Sequence, residues 1–298
     1  MSELDFYRQQ SVFTDPGEFA ALWDTINPTI DEMAAAITPL LFHYRGDGDY
    51  AENGIAPERV EEINLRYAAD MLSCVQRMEP ITPGAPRDAN KRMVGCCRDW
   101  ALLFVSLARH HRFAARNRVG FAGYFAEGWW IDHTIAEIWD DVAGRWRLVD
   151  PELRGPWTLS GGQEVNPVDI SREIFLPGLD AWRRSRAGEF DAEKFVVAPD
   201  LMVPDLRGWP YLRHNVVQDI AALNRSEMLL WDVWGIDQIE GREPTTEELA
   251  VLDEAANAST QAEWQALYAT DGFRVPATVM SFHPAEPGRM DFVELRTL

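Results

Sequence analysis

The chain has 298 residues, of which 46% are hydrophobic, with 12 tryptophans and 14 phenylalanines. A chain of this size and composition can bury a sizeable core, which excludes a largely disordered protein. Acidic residues outnumber basic ones by 48 to 28, so the formal net charge is −20 and we expect neither nucleic acid nor an anionic membrane as a partner.

The cysteines and the N-terminal residues indicate the compartment. Three cysteines cannot all pair, and two of them are adjacent, so no disulfide framework is predicted. No basic stretch followed by an apolar run opens the chain, and no window approaches the ~20 apolar residues of a membrane span. The sequence therefore predicts a soluble protein of the reducing cytoplasm.

Residues 15–80 carry helix signals. Thr29 with Glu32 resembles a capping box, and Pro57 is suited to the first turn of a helix. The predicted helices of this region are 18–26, 33–44 and 57–78. Proline and glycine over residues 80–86 then predict a loop.

The middle of the chain carries one helical pattern followed by strand-like runs. Apolar residues from Cys97 to His110 recur at helical spacing and predict a buried helix. Three runs rich in β-branched and aromatic residues follow, and glycines lie in the gaps between them. The predicted strands are 115–125, 132–140 and 145–150.

Helical patterns return after a segment punctuated by proline and glycine. The predicted helices are 167–186, 215–234 and 246–268. In the second of these, an apolar stripe predicts packing on the core and closure of a cleft, while Asn215, Asp219 and Asn224 are typical of helix caps or surface positions, with substrate binding as the alternative. The order of elements predicts an α+β protein with a helical N-terminal region (1–86), a core of one helix and a small sheet (87–160) and a mostly helical C-terminal region (161–298).

Cys97 opens the predicted buried helix. A helix N-terminus carries partial positive charge and unpaired N–H groups, which favour a nucleophilic thiolate and supply oxyanion donors. Cys96 and Cys97 would lie ~100° apart on a helix, so at most one of them can face a shared base. Cys74, on an amphipathic helix, is predicted to be a small core residue.

His133 and Asp150 lie on strands that a turn signal predicts to form a hairpin. A two-residue loop sets His133 directly opposite Asp150, whereas a four-residue loop sets Ile135 opposite Asp150 and leaves His133 diagonal to it. Both registers keep the two side chains on one face. The spacing thus favours a hydrogen bond in which the carboxylate fixes the imidazole tautomer, with purely structural roles as the alternative.

These residues lie in a pattern that resembles the transglutaminase-like core of bacterial transglutaminase-domain proteins. The matching segments are Gly95-x-Cys97-Arg98-Asp99-x-Ala101, Val119-Gly120-Phe121, His133 with Glu137, and Arg145-Trp146 through Asp150-Pro151. The resemblance spans about residues 90–152. It implies a papain-like core, in which a buried cysteine helix packs on a small antiparallel sheet flanked by N- and C-terminal helices, with Cys97 as nucleophile, His133 as base and Asp150 as orienting carboxylate.

The function that follows is acyl transfer at an amide or thioester carbonyl through a Cys97 acyl-enzyme, resolved by water or an amine. The expected partner is a small-molecule or peptide substrate, with an amine as a second substrate, and no cofactor or metal is expected. Trp129 and Trp130, just before His133, are predicted either to fill the hairpin core or to bind substrate as a wall that shields the thioester. The alternatives are an amidase or peptidase acting on peptides and a non-catalytic binding scaffold.

Overall fold

A computed structural model describes residues 2–238 and 242–297 of the protein. It combines helices and sheets, so the predicted α+β class is confirmed. The chain divides into two compact units, Met1–Asn117 with Ile135–Ile170 and Arg118–Thr134 with Ser171–Leu298. Two of the three boundaries between the units, at 117/118 and 134/135, fall within strands.

The α-helices are, in chain order, α1 Glu3–Tyr7, α2 Ala20–Trp23, α3 Ile30–Ile37, α4 Ala68–Met78, α5 Cys97–His110, α6 Gly178–Arg186, α7 Gly208–Leu223, α8 Thr246–Asn257 and α9 Gln261–Tyr268. Short 3₁₀ helices cover Gly17–Phe19, Thr38–Leu40, Pro57–Asn64, Ala89–Lys91, Ala192–Lys194, Pro204–Leu206 and Gly235–Asp237.

The strands are β1 Leu41–His43, β2 Met93–Gly95, β3 Ala115–Ala122, β4 Trp130–Asp140, β5 Arg145–Val149, β6 Trp157–Thr158, β7 Glu164–Val165, β8 Phe175–Pro177, β9 Phe195–Val196, β10 Asp232–Val233, β11 Thr278–Phe282 and β12 Met290–Glu294. The predicted cysteine helix and the three central strands are thus confirmed, with ends shifted by three residues at most.

The first unit is built around α5. Every residue from Cys97 to Arg109 is buried, and α2, α3 and α4 pack against this helix. The parallel pair of β1 and β2 ends at Gly95, two residues before the helix begins. Helix α5 is therefore the core of the unit, and its first turn follows directly from a paired strand.

The hairpin of β4 and β5 has the register of a four-residue loop. Asp140 pairs with Arg145 and Ala136 pairs with Val149. Gly144 has a φ of +62°, a conformation that glycine adopts without strain. Of the two loop lengths that the sequence left open, the longer one is therefore observed.

All three predicted N-terminal helices were too long, and the one predicted over 18–26 ends at Trp23. The helix predicted over 33–44 ends at Ile37, because Pro39 lacks the N–H that a helix would need, and residues 41–43 form β1 instead. The helix predicted over 57–78 is interrupted at residues 65–67. There the Arg66 carbonyl accepts a hydrogen bond from the Arg98 guanidinium at 2.8 Å. Thr29, by contrast, caps α3 as predicted.

The second unit is organised by α7, which is buried along most of its length and packs against α6, α8 and α9. β3 pairs antiparallel with β8, and the first residues of β4 pair in parallel with β9. β10, β11 and β12 form a small antiparallel sheet that the sequence analysis missed.

The predicted bounds of α7 were wrong at both ends. The helix begins at Gly208 rather than Asn215, because Pro210 lies in its first turn, where a missing N–H costs nothing. It ends at Leu223 rather than Trp234, because Asn224 is its C-cap and Arg225 adopts a φ of +60°.

Two other C-terminal helices also differ from prediction. In the region 167–186 only α6 is helical, because Phe175–Pro177 form a strand and Pro177 restricts the residue before it. The predicted helix 246–268 is two helices, since Thr260 caps α9 with Glu263 at its third position.

Two of the three α7 residues predicted as caps or surface positions, Asn215 and Asp219, are buried. Both oxygens of Asp219 accept hydrogen bonds from the Arg118 guanidinium, at 2.9 and 2.8 Å, and Oδ1 also accepts the Val119 N–H. Asn215 is fully buried as well. The prediction that these three residues cap the helix or lie on its surface therefore holds only for Asn224.

The close approach of β3 and β8 at Gly120 can be tested by substitution. A Cβ placed on Gly120 would lie 2.7 Å from the Pro177 Cα and closer still to the Leu176 carbonyl oxygen. Both are backbone atoms, so we expect Gly120→Ala to lower the free energy of unfolding by at least about 1–3 kcal/mol, measured from urea midpoints. Gly161→Ala is the matched control, because nothing lies within 4 Å of its Cβ position and its φ is not positive. It should leave stability unchanged or raise it by up to about 1 kcal/mol. Equal midpoints for the two variants would contradict the close approach at Gly120.

Candidate active site

The start of α5 shows why the motif Gly95-x-Cys97-Arg98-Asp99 has its spacing. Cys96 is the N-cap, and its backbone N–H donates to Asp99 Oδ2 at 2.9 Å. A Cβ on Gly95 would lie 2.8 Å from that same oxygen. Glycine is therefore needed so that the carboxylate can reach back over the first turn, and Cys97 becomes the first helical residue.

Asp99 and Arg98 are both buried and form an ion pair. The Arg98 guanidinium donates to Asp99 Oδ1 at 3.1 Å and to the Arg66 carbonyl at 2.8 Å. Burial raises the pKa of the Asp99 carboxyl above its usual value, although Arg98 acts in the opposite direction. These contacts fix the first turn of α5 to the segment between Pro57–Asn64 and α4.

The three thiols lie in different environments. A hydrogen bond with the Cys97 side chain lowers the pKa of Cys96, but burial and the nearby Asp99 carboxylate outweigh it and raise that pKa above its usual value. Burial, together with Glu62, raises the pKa of Cys74 to about 11. Both thiols are therefore protonated at neutral pH, whereas Cys97 lies where the N–H groups of the first turn converge.

Asp150 lies in the same unit as Cys97, immediately after β5, and is buried. Its backbone N–H donates to the Pro167 carbonyl at 2.7 Å, and its Oδ1 accepts the Glu152 N–H at 3.2 Å. These contacts hold the turn that carries the carboxylate.

A chain of hydrogen bonds joins this turn to the cysteine helix. Trp100 Nε1 donates to the Thr38 carbonyl at 3.2 Å, and Thr38 Oγ1 donates to the Pro151 carbonyl at 2.8 Å. Trp100 lies one helical turn after Cys97, and Pro151 follows Asp150. The backbones that carry Cys97 and Asp150 are thus connected within one unit.

His133 lies in the second unit, on β4, and is 2% exposed. Two aromatic rings meet it edge-on, Tyr124 with ring centroids 6.1 Å apart and Phe125 at 4.9 Å. The rings restrict the rotation of the imidazole and exclude water from one side of it.

Asp132 is a residue that the sequence analysis missed. Its carboxylate accepts a hydrogen bond from Asn215 Nδ2 of α7 at 3.4 Å. Burial raises the pKa of Asp132, while a hydrogen bond from Tyr211 acts to lower it. Asp132 therefore ties the strand to α7 one residue before His133. Asp132 could have been suspected because it precedes the candidate base, but nothing in the local sequence indicated a partner on α7.

Trp129 and Trp130 lie where β4 begins. Trp130 stacks on Phe195 at 5.8 Å and meets Phe190 edge-on, so much of its ring is used in packing. Lys194 Nζ lies 4.5 Å from the centroid of the Trp129 ring. Their predicted contribution to substrate binding stays a prediction.

A match to a known family supports the class of this site. Residues 55–151 match the sequence model of the transglutaminase-like superfamily core, which confirms the predicted resemblance and points to a cysteine-based catalytic family. A solved structure of a protein proposed to be a cysteine protease from Cytophaga hutchinsonii is similar at 16% identity, with a TM-score of 0.33, over 56% of this chain and 46% of that one. No curated protein matches the sequence significantly.

Among the described residues, no helix is both long and apolar enough to cross a bilayer.

The thiol environments predict selective alkylation. At pH 7 iodoacetamide should modify Cys97 much faster than Cys96 or Cys74, because the other two thiols are held protonated. Labelling of Cys74 should become significant only as the pH approaches its pKa of about 11. Peptide mapping after timed labelling measures all three rates, and the fast phase should vanish in Cys97→Ser but persist in Cys74→Ala. First labelling at Cys96 would show that the nucleophile has been assigned to the wrong cysteine.

Proposed function

We propose that this protein is a cysteine-dependent acyl-transfer enzyme. The Cys97 thiolate attacks an amide or thioester carbonyl, and water or an amine resolves the resulting acyl-enzyme. The observation that carries the proposal is the position of Cys97 as first residue of a buried helix, inside the segment that matches the transglutaminase-like core.

The backbone N–H of Cys97 is proposed as an oxyanion donor. The N–H groups of the first turn of a helix carry partial positive charge, which can stabilise charge that develops on a carbonyl oxygen. The Cys96 N–H is committed to Asp99 at 2.9 Å. This supports assigning the donor to the residue that also carries the nucleophile.

His133 is proposed as general base and acid, and Asp150 as the carboxylate that orients it. The order of the motifs along the chain supports these roles. Burial of both residues also supports them, because a base that must hold one tautomer benefits from a site without competing water. The β4–β5 hairpin has the four-residue loop, one of the two loop lengths from which the sequence predicts a His133–Asp150 hydrogen bond.

The proposed substrate is a small amide or thioester, with an amine as acceptor in the transfer reaction, and the proposed setting is the cytoplasm. The strong negative charge favours an amine or cation over a polyanion. The C-terminal third carries helices beyond the matched segment, and we propose that such added structure favours a small substrate over a protein glutamine. Hydrolysis of peptides shares the first half of the reaction and is the alternative outcome.

Asp150→Asn tests the proposed orienting role. The amide keeps an oxygen that can accept the Glu152 N–H, so the turn should fold normally, while the histidine loses its charged partner. We expect kcat to fall by about 10⁴ with little change in the thermal unfolding midpoint. Asp169→Asn is the control, because Asp169 pairs with Arg145 at a more exposed position of the same unit. Near-normal turnover of Asp150→Asn would remove this residue from the mechanism.

A further inference from the structure

Cys96 has no assigned role in the proposed reaction, yet it lies in contact with the proposed nucleophile. Its side chain is 2% exposed and forms a hydrogen bond with the Cys97 side chain. It occupies the N-cap position, where serine, threonine, aspartate or asparagine would be the usual choice. The structure therefore contains two hydrogen-bonded thiols on adjacent residues, and only one of them is needed for acyl transfer.

We propose that Cys96 and Cys97 are a reversible oxidation site, at which a peroxide converts the two thiols into a disulfide between neighbouring residues. Cys97 is the cysteine that the oxidant attacks, and Cys96 is the resolving thiol. The oxidation requires only the two sulfur atoms and the peroxide, and it does not depend on the proposed function, whereas its effect on turnover does.

The chemistry proceeds in two balanced steps. The Cys97 thiolate attacks hydrogen peroxide, the O–O bond breaks, and the products are a sulfenic acid on Cys97 and hydroxide. The Cys96 sulfur then attacks the oxidised sulfur and forms the S–S bond. The sulfenic hydroxyl leaves with the Cys96 proton as water. Two electrons pass from the pair of sulfurs to the peroxide, and the protein loses two hydrogen atoms.

The position of each thiol determines its role in this sequence. Cys97 lies at the positive end of α5, where a thiolate is stabilised and where oxidation starts. Cys96 is buried beside the Asp99 carboxylate, which disfavours its own thiolate and hence direct attack by the oxidant. Contact between the side chains gives the second step a high effective concentration.

Adjacency also makes the disulfide easy to reverse. Neighbouring Cα atoms are about 3.8 Å apart, whereas ordinary disulfides join Cα atoms about 4.4–6.8 Å apart. A disulfide across this short separation is strained, and strained disulfides are readily reduced and regulatory in character. The pair would thus protect Cys97 from irreversible oxidation to sulfinic or sulfonic acid and release it when reductant returns.

The test is oxidation of the full chain by hydrogen peroxide, followed by intact mass spectrometry and non-reducing peptide mapping. We expect the wild type to lose two hydrogen atoms, with the bond located between Cys96 and Cys97, and dithiothreitol to restore alkylation of Cys97 by iodoacetamide. In Cys96→Ser, where serine keeps the cap, Cys97 should instead gain oxygen atoms and lose alkylation irreversibly. Cys74→Ala should behave as the wild type.

Oxygen addition at Cys97 in the wild type without an S–S bond, or equal recovery of the wild type and Cys96→Ser, would overturn the proposal. A disulfide that includes Cys74 would also overturn it. Because every readout is a mass or an alkylation rate, the result stands whether or not the protein proves to transfer acyl groups.

Discussion

The buried carboxylate of Asp99 is the contact on which the rest of the candidate site depends. It caps the helix through the Cys96 N–H, it approaches Gly95 so closely that a Cβ there would displace it, and it pairs with Arg98. A buried carboxylate is costly unless it is paired and hydrogen-bonded, and this one is both. Its position determines where α5 begins and therefore which cysteine stands first in the helix.

Buried charge has the same positioning role in the second unit. Arg118 holds Asp219 in a two-pronged pair on α7, and His214 Nδ1 lies 2.7 Å from Asp237. Burial disfavours charge on His214, but the Asp237 carboxylate outweighs it and raises the pKa of that histidine. Such pairs add little net stability because desolvation offsets their attraction, yet losing one partner is expensive. They therefore fix the position of α7, which also holds the strand of His133 through Asp132.

The sequence predicted the elements whose signals are local. Helix Cys97–His110 and the three central strands follow from period and turn residues, and Cys97 stood out because its helix has an unambiguous start. Some wrong helix bounds came from prolines and caps that are local signals, whereas the break at residues 65–67 depends on a long-range contact. No local signal near residues 65–67 predicts that the Arg98 guanidinium will donate a hydrogen bond to the Arg66 carbonyl and interrupt a helix. The break before α9 was detectable, since Thr260 and Glu263 form a capping pair inside the supposed helix.

The candidate site was proposed from local motifs. Cys97, His133 and Asp150 follow from the ends of elements, the spacing of a hairpin and the resemblance to the transglutaminase-like core, and their roles stay predictions. Asp132 was not identified, because its partner lies on α7, far along the chain, and strand patterns do not reveal such pairing. The connection from Trp100 through Thr38 to Pro151 was missed for the same reason.

The most direct test of the central claim is a search for the acyl-enzyme itself. The protein is incubated with a panel of small amides and thioesters, quenched in acid, and analysed by intact mass spectrometry and peptide mapping. We predict a mass increase equal to the acyl group, located on Cys97, absent from Cys97→Ser, and lost faster when an amine is added if the reaction is transfer rather than hydrolysis. Turnover of any of these substrates by Cys97→Ser at the wild-type rate, or an adduct on another residue, would contradict the assignment of Cys97 as the nucleophile.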